Sequence, residues 1–166
     1  EGTDVAIGQL EVDAEFSHSV LTPCEWTPVE KEMVCHWGCD LTEISVLEED
    51  GDVYQIKSDC KVRGVNGHFI ETQSRWPPFT QAECHVTSAT TPHSASGGPV
   101  TLSTGQVFGI STSSSDLGGY SIASMVKHAF ECPVPPHFRL NGETKGRKQT
   151  WGELLAEFGV EVLKGT

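Results

Sequence analysis

Residues 90–112 constrain the fold more than any other part of the chain. Thr90-Thr91-Pro92-His93-Ser94-Ala95-Ser96-Gly97-Gly98-Pro99-Val100 sets a serine ahead of two glycines and a proline. A hairpin pattern follows at once, Thr101 to Thr112, turning at Thr104-Gly105. The glycines give the backbone conformations that a side chain would forbid. N–H groups around Ser96 can then converge on one point, where the negative oxygen of a tetrahedral intermediate would sit. A plain Ser/Gly-rich turn between two strands fits the same residues, and the stretch by itself leaves both readings open.

The rest of the chain supplies strands to go with that hairpin. Ile44 to Ile56 alternates around Asp50-Gly51, a strong two-residue turn signal. Glu48, Glu49, Asp50 and Asp52 cluster there, but without the spacing of a calcium loop they read as a solvated turn. Glu32 to Gly38 reads as a strand running into a glycine turn, and Asn66-Gly67-His68 as another tight turn. His36 and Trp37 read as packing residues. Trp76-Pro77-Pro78 should break any strand, and Glu83 to Ser88 reads as the strand entering the serine loop. A six-stranded antiparallel barrel is therefore expected over about 32–122, with short helices near 123–131 and 151–163. Thr150 and Glu153 have capping-box spacing ahead of Leu154, Leu155, Phe158 and Val162.

At 166 residues the chain is long enough for one domain with a core of its own. Its 11 basic and 23 acidic residues give a net charge of −12, which argues against nucleic acid and against an anionic membrane surface as partners. No apolar run approaches the roughly 18 residues of a membrane span. The opening Glu1-Gly2-Thr3 lacks the basic start and apolar stretch of a signal peptide and reads as a processed or truncated start. Six cysteines, Cys24, Cys35, Cys39, Cys60, Cys84 and Cys132, suit an oxidising compartment, so paired thiols and a secreted or extracytoplasmic location are expected. Buried free thiols are the first alternative. Zinc is the second: Cys35-His36-x-x-Cys39 and Cys84-His85 offer soft ligands, but there is no C-x-x-C pair, so no metal and no cofactor is assigned.

Ser94 to Val100 resembles the nucleophile loop of the trypsin-like (chymotrypsin-fold) serine proteases, nearest the HtrA-like and glutamyl-endopeptidase-like branch. Gln106-Val107-Phe108-Gly109-Ile110-Ser111 resembles the strand that follows in that family, and Gly118 to Phe130 its last strand and closing helix. Thr3-Asp4-Val5-Ala6-Ile7 resembles the segment carrying the triad aspartate. The resemblance covers roughly residues 3–131. It implies an all-β chymotrypsin-like barrel: a first-barrel remnant over 1–22, the second barrel over 32–131, and a tail with a helix over 132–166. It also implies a serine endopeptidase acting on polypeptides, with Ser96 as nucleophile and Asp4 as the carboxylate. Backbone N–H groups of Ser94 and Ser96 would form the oxyanion hole. Thr90, Thr91, Ser111, Thr112, Ser113 and Ser114 would line a small substrate pocket without fixed charge, which argues against a Lys/Arg preference. By itself Asp4 reads as a turn residue before a short strand.

The pattern departs from that family in three places. Its chain order is His, Asp, Ser, yet every histidine here follows Asp4, so the base is expected outside this chain, in a missing N-terminal half of the peptidase domain. Ser94 stands where glycine is usual, and its backbone is expected to be strained. Ala95 stands where aspartate or asparagine is frequent. These departures keep a catalytically inactive, protease-like binding module as an alternative. An unrelated secreted, disulfide-bonded β-domain is a third. His93 could contact a substrate carboxylate or be an exposed loop histidine.

Overall fold

The computed structural model describes residues 22–50, 53–75, 82–115, 118–136, 138–140, 143–144, 149–157 and 159–163, with backbone alone for 40–50, 53–60, 93, 115, 139–140 and 143–144. Six strands close into an antiparallel barrel: β1 (Met33–Asp50), β2 (Val53–Gln73), β3 (Cys84–Thr87), β4 (Pro99–Leu102), β5 (Val107–Ser115) and β6 (Tyr120–Met125). Their order around it is β1-β2-β3-β6-β5-β4, so β4 pairs back onto β1 through Val34↔Leu102, Cys35↔Thr101 and His36↔Val100. Closure removes the sheet edge where β4 meets β1, while the β1–β2 hairpin runs on beyond that seam to Asp50↔Val53. The barrel expected from the hairpin signals is therefore present. Asp4 lies outside the described residues, as do His18, Gly51, Trp76-Pro77-Pro78 and His137.

Two local expectations fail. β1 does not turn at Gly38 but runs on to Asp50, paired with β2 along its length. Asn66-Gly67-His68 is not a turn either; Gly67 sits inside β2 opposite Val34. Both glycines serve close approach. A Cβ on Gly67 would come within 2.4 Å of the Ala89 nitrogen, and one on Gly38 within 2.8 Å of the Ala95 Cα. Neither site has room for a side chain, and the segment admitted at both leads to or belongs to the serine loop.

The core holds Val34, Phe69, Val100, Leu102, Phe108 and Ala123, joined by Cys24. Full burial of each larger side chain contributes about 1.5–3 kcal/mol. α1 (Val126–Glu131) begins three residues later than expected, because Tyr120–Met125 is taken by β6. α2 (Trp151–Glu157) starts at the expected capping box, with Thr150 N–H donating to Glu153 Oε2 at 2.7 Å and Glu153 N–H to Thr150 Oγ1 at 3.3 Å, but it stops short of the expected 163, Gly159 turning the chain at φ of +74° so that Val162 lies outside the helix. A two-stranded hairpin, β7 (Arg139–Leu140) with β8 (Glu143–Thr144), lies between the helices in the chain.

The late segment packs on the barrel. Leu155 and Val162 cover Val107, Val126 and Phe130. Residues 22–25 are gripped on two sides: Val107 N–H donates to Thr22 O and Cys24 N–H to Val107 O, while Glu25 N–H donates to Leu163 O and Leu163 N–H to Pro23 O.

Cys24, Cys35, Cys84 and Cys132 are free thiols, which overturns the expectation that most cysteines are paired. Cys24 and Cys84 are buried and behave as small hydrophobes; burial pushes the Cys24 thiol up to about 11. Cys39, by contrast, is disulfide-bonded. Among the described residues no three His, Cys, Asp or Glu side chains converge as a metal site, and no helix is long and apolar enough to cross a membrane.

Candidate functional site around Ser96

The loop from β3 to β4 is held at both ends by buried hydroxyls and backbone. At its entry, Ser121 on β6 is fully buried; its hydroxyl donates to the Ala89 carbonyl at 2.8 Å, accepts the Thr91 N–H at 3.2 Å and meets Thr91 Oγ1 at 2.8 Å. The chain then makes a single 3₁₀ turn over His93–Ala95, closed by Ala95 N–H to Pro92 O at 3.0 Å. At its exit, Gly97 N–H donates to Ser111 O at 2.7 Å and Ser111 N–H to Gly98 O at 2.8 Å, tying the loop to β5.

The two glycines act differently. Gly97 has φ of +85°, a left-handed conformation that favours glycine. Gly98 is needed for space: a Cβ there would fall 1.7 Å from the Trp37 carbonyl oxygen. Ser94 does not carry the expected strain. It lies within the 3₁₀ turn, and Lys31 is the one non-glycine with positive φ among the described residues.

Ser96 is exposed, and its hydroxyl donates to the Thr112 carbonyl at 3.0 Å. Among the histidines whose side chains are described, none hydrogen-bonds to it. A carbonyl oxygen cannot take the proton that a nucleophilic serine must lose. Ser96 stands between two clefts. One, of about 230 Å³, is lined by Thr91, Pro92, Ser96, Ser111, Thr112, Ser113 and Ser114. All the residues that the resemblance assigned to the substrate pocket come together there except Thr90, which is exposed and stands outside the lining. The other, of about 670 Å³, is walled by Trp37, Val62, Gly98 and Pro99 and also reaches Ser94. Trp37 and Val62 are 38% and 68% exposed, so this side is apolar and open.

Behind the smaller cleft lies a residue read above as packing or, in the zinc alternative, as a soft ligand. His36 on β1 is fully buried; its Nδ1 is 3.2 Å from Ser111 Oγ and its Nε2 is 2.8 Å from Thr87 Oγ1. Burial lowers its pKa to about 4, so the imidazole is neutral at neutral pH. Nearby, Thr112 Oγ1 meets Ser124 Oγ at 2.9 Å, whereas Ser113 Oγ is buried with no hydrogen-bond partner among the described residues. Nothing local in the sequence marks His36, Thr87 or Ser121 for these roles, because their partners lie on distant strands.

No family model, no curated protein and no solved structure matches the chain.

Proposed function

We propose that the chain is the Ser96-bearing part of a trypsin-like serine endopeptidase that acts on polypeptide substrates, the base of its triad being supplied from outside this chain. One observation carries the proposal. Ser96 is exposed on a loop locked by Gly97 and Gly98, and it borders a cleft built from Thr91 and Ser111 to Ser114. In this reading a histidine takes the Ser96 proton, Asp4 orients that histidine, and backbone N–H groups of Ser94 and Ser96 stabilise the oxyanion. The uncharged cleft disfavours lysine and arginine side chains.

The chain alone is expected to hydrolyse peptides negligibly, because binding and oxyanion stabilisation without the base leave only about 10³–10⁴-fold over water. A fluorophosphonate probe should label a longer chain carrying an upstream histidine at Ser96, and Ser96→Ala should abolish labelling and proteolysis. The 166-residue chain should stay unlabelled. Rapid labelling of that chain would mean that one of its own histidines serves as base.

A second reading, a protease-like binding module without catalysis, is favoured by the resting bond from Ser96 to the Thr112 carbonyl and by Ser94 and Ala95 beside it. It replaces the first if the longer chain neither labels nor cleaves.

A further inference from the structure

The loop that presents Ser96 has two anchors, and both are buried serines. Ser121 on β6 holds the entry, through the Ala89 carbonyl and the N–H and hydroxyl of Thr91. Ser111 on β5 holds the exit with its backbone, accepting from Gly97 N–H and donating to the Gly98 carbonyl. The next residue, Thr112, offers the carbonyl on which the Ser96 hydroxyl rests. β5 and β6 are paired, but their register shifts between Ser111 and Ser113, so a bulge at Thr112 lies between the two anchors in the ladder. A bulge leaves its extra residue unpaired and lets the strand bend, which makes the sheet a soft connection at this point. A second connection runs inside the barrel. The Thr87 hydroxyl has one proton, and it reaches the Ser121 carbonyl at 3.4 Å. Thr87 Oγ1 then accepts from His36 Nε2–H at 2.8 Å, which leaves Nδ1 bare to accept the Ser111 hydroxyl at 3.2 Å. This tautomer, assigned from the hydrogen-bond network, satisfies every member. The donors all point one way, from Ser111 to His36 to Thr87 to Ser121, and bonds in such a chain polarise one another. His36, Thr87 and Ser121 are fully buried and Ser111 is 2% exposed, so water does not compete for any of them.

We infer that His36 is a positioning residue for Ser96: by linking Ser111 to Thr87 and Ser121, it ties the exit anchor of the serine loop to the entry anchor across the barrel interior. It acts through Ser111 and makes no bond to Ser96 itself. With the link in place, Thr91 at one end of the loop and Gly97 at the other move together or not at all. Without it, each end is held by its own strand, and the two strands meet at the bulge. For a nucleophile the difference matters, because a misplacement of about 1 Å can cost about 10²-fold in rate. That consequence rests on the reading of Ser96 as the nucleophile; the link between the anchors does not.

The test is amide hydrogen exchange of the isotope-labelled 166-residue chain followed by NMR, comparing Thr87→Val and His36→Leu with His85→Leu. Thr87→Val removes one hydroxyl on the entry side and leaves His36 and Ser111 in place. It should nevertheless speed exchange of the Gly97 and Ser111 N–H groups at the exit by about tenfold relative to the β4 amides, which gauge the stability of the whole barrel. His36→Leu should do the same at Gly97 and Thr91 together, while His85→Leu should leave both in step with β4. Added to His36→Leu, Thr87→Val should bring no further change at Gly97, a saturation that a general loss of stability would not produce. If exchange at Gly97 and Thr91 follows β4 in both variants, or if His85→Leu speeds it equally, the inference is overturned. Should His36→Leu fail to fold, Thr87→Val decides alone. Fluorophosphonate labelling of the longer chain bears on Ser96 separately. Labelling that slows about tenfold in Thr87→Val supports both ideas. Coupled exchange without labelling keeps the link and removes the nucleophile; labelling without coupled exchange removes this inference alone.

Discussion

His36 and His85 are the same group at the same depth, both fully buried in the barrel and both lowered by burial to a pKa of about 4. Their surroundings differ. His36 on β1 reaches Ser111 on β5 and Thr87 on β3, and no two of these three strands are neighbours. It is a brace across the barrel interior that ends at the cleft. His85 on β3 bonds through Nδ1 to Thr72, its direct register partner on the adjacent β2. Its Nε2 has no partner among the described residues, and its ring lies 5.5 Å from that of Phe69 and 5.3 Å from that of Phe108. One imidazole joins what the sheet does not join; the other repeats a connection that the sheet already makes. Burial alone therefore says little about what a polar side chain does in a core.

The largest expected effect treats the two alike. Each histidine stays neutral in the folded state down to about pH 4, while in the unfolded chain it takes a proton below 6.5. The unfolded state then binds more protons in that window, so stability is full above about 6.5 and falls as the pH drops to about 4, by about 3 kcal/mol for each histidine. Urea unfolding across that range measures the loss, and a flat midpoint would contradict it.

Substitution should separate them. His36→Leu leaves the Ser111 hydroxyl without its partner and should cost about 2 kcal/mol, whereas His85→Leu also removes an unpartnered nitrogen and should stay within about 1 kcal/mol. Either change should flatten part of the acid slope. Equal costs in urea unfolding at pH 7 would erase the distinction drawn between the two sites. The smallest effect is pairwise: a double-mutant cycle between His36→Leu and Ser111→Ala should give a coupling of about 1 kcal/mol. Strict additivity would mean that the 3.2 Å contact contributes nothing.

These two residues also show where sequence reading succeeds and stops. The hairpin at Thr104-Gly105 and the cap at Thr150 and Glu153 depend on neighbours in the chain, and both were legible. The gathering of Thr91 with Ser111 to Ser114 beside Ser96 was legible only through the resemblance. Gly38 and Gly67 misled because a glycine signals a turn as readily as a close approach, and here Ala95 and Ala89 need the space. His36 was correctly placed in the packing, but its partners lie 75 and 51 residues away, beyond any local pattern. Cysteine parity misled because a thiol buried like Cys84 packs as a hydrophobe whatever the count.

The grip on residues 22–25 has a consequence for the order of events during synthesis. Val107 and Leu163 hold this early segment from two sides, and the second hold joins residues made near opposite ends of the described chain. A chain emerging N-terminus first can pair β1 with β2 soon after both are made, but Pro23 to Glu25 cannot receive their second set of hydrogen bonds until Leu163 has been added. Non-local pairings of this kind slow folding and leave apolar surface uncovered in the meantime. The Cys24 thiol, buried in the finished fold, is thus uncovered on one side until the segment carrying Leu163 docks.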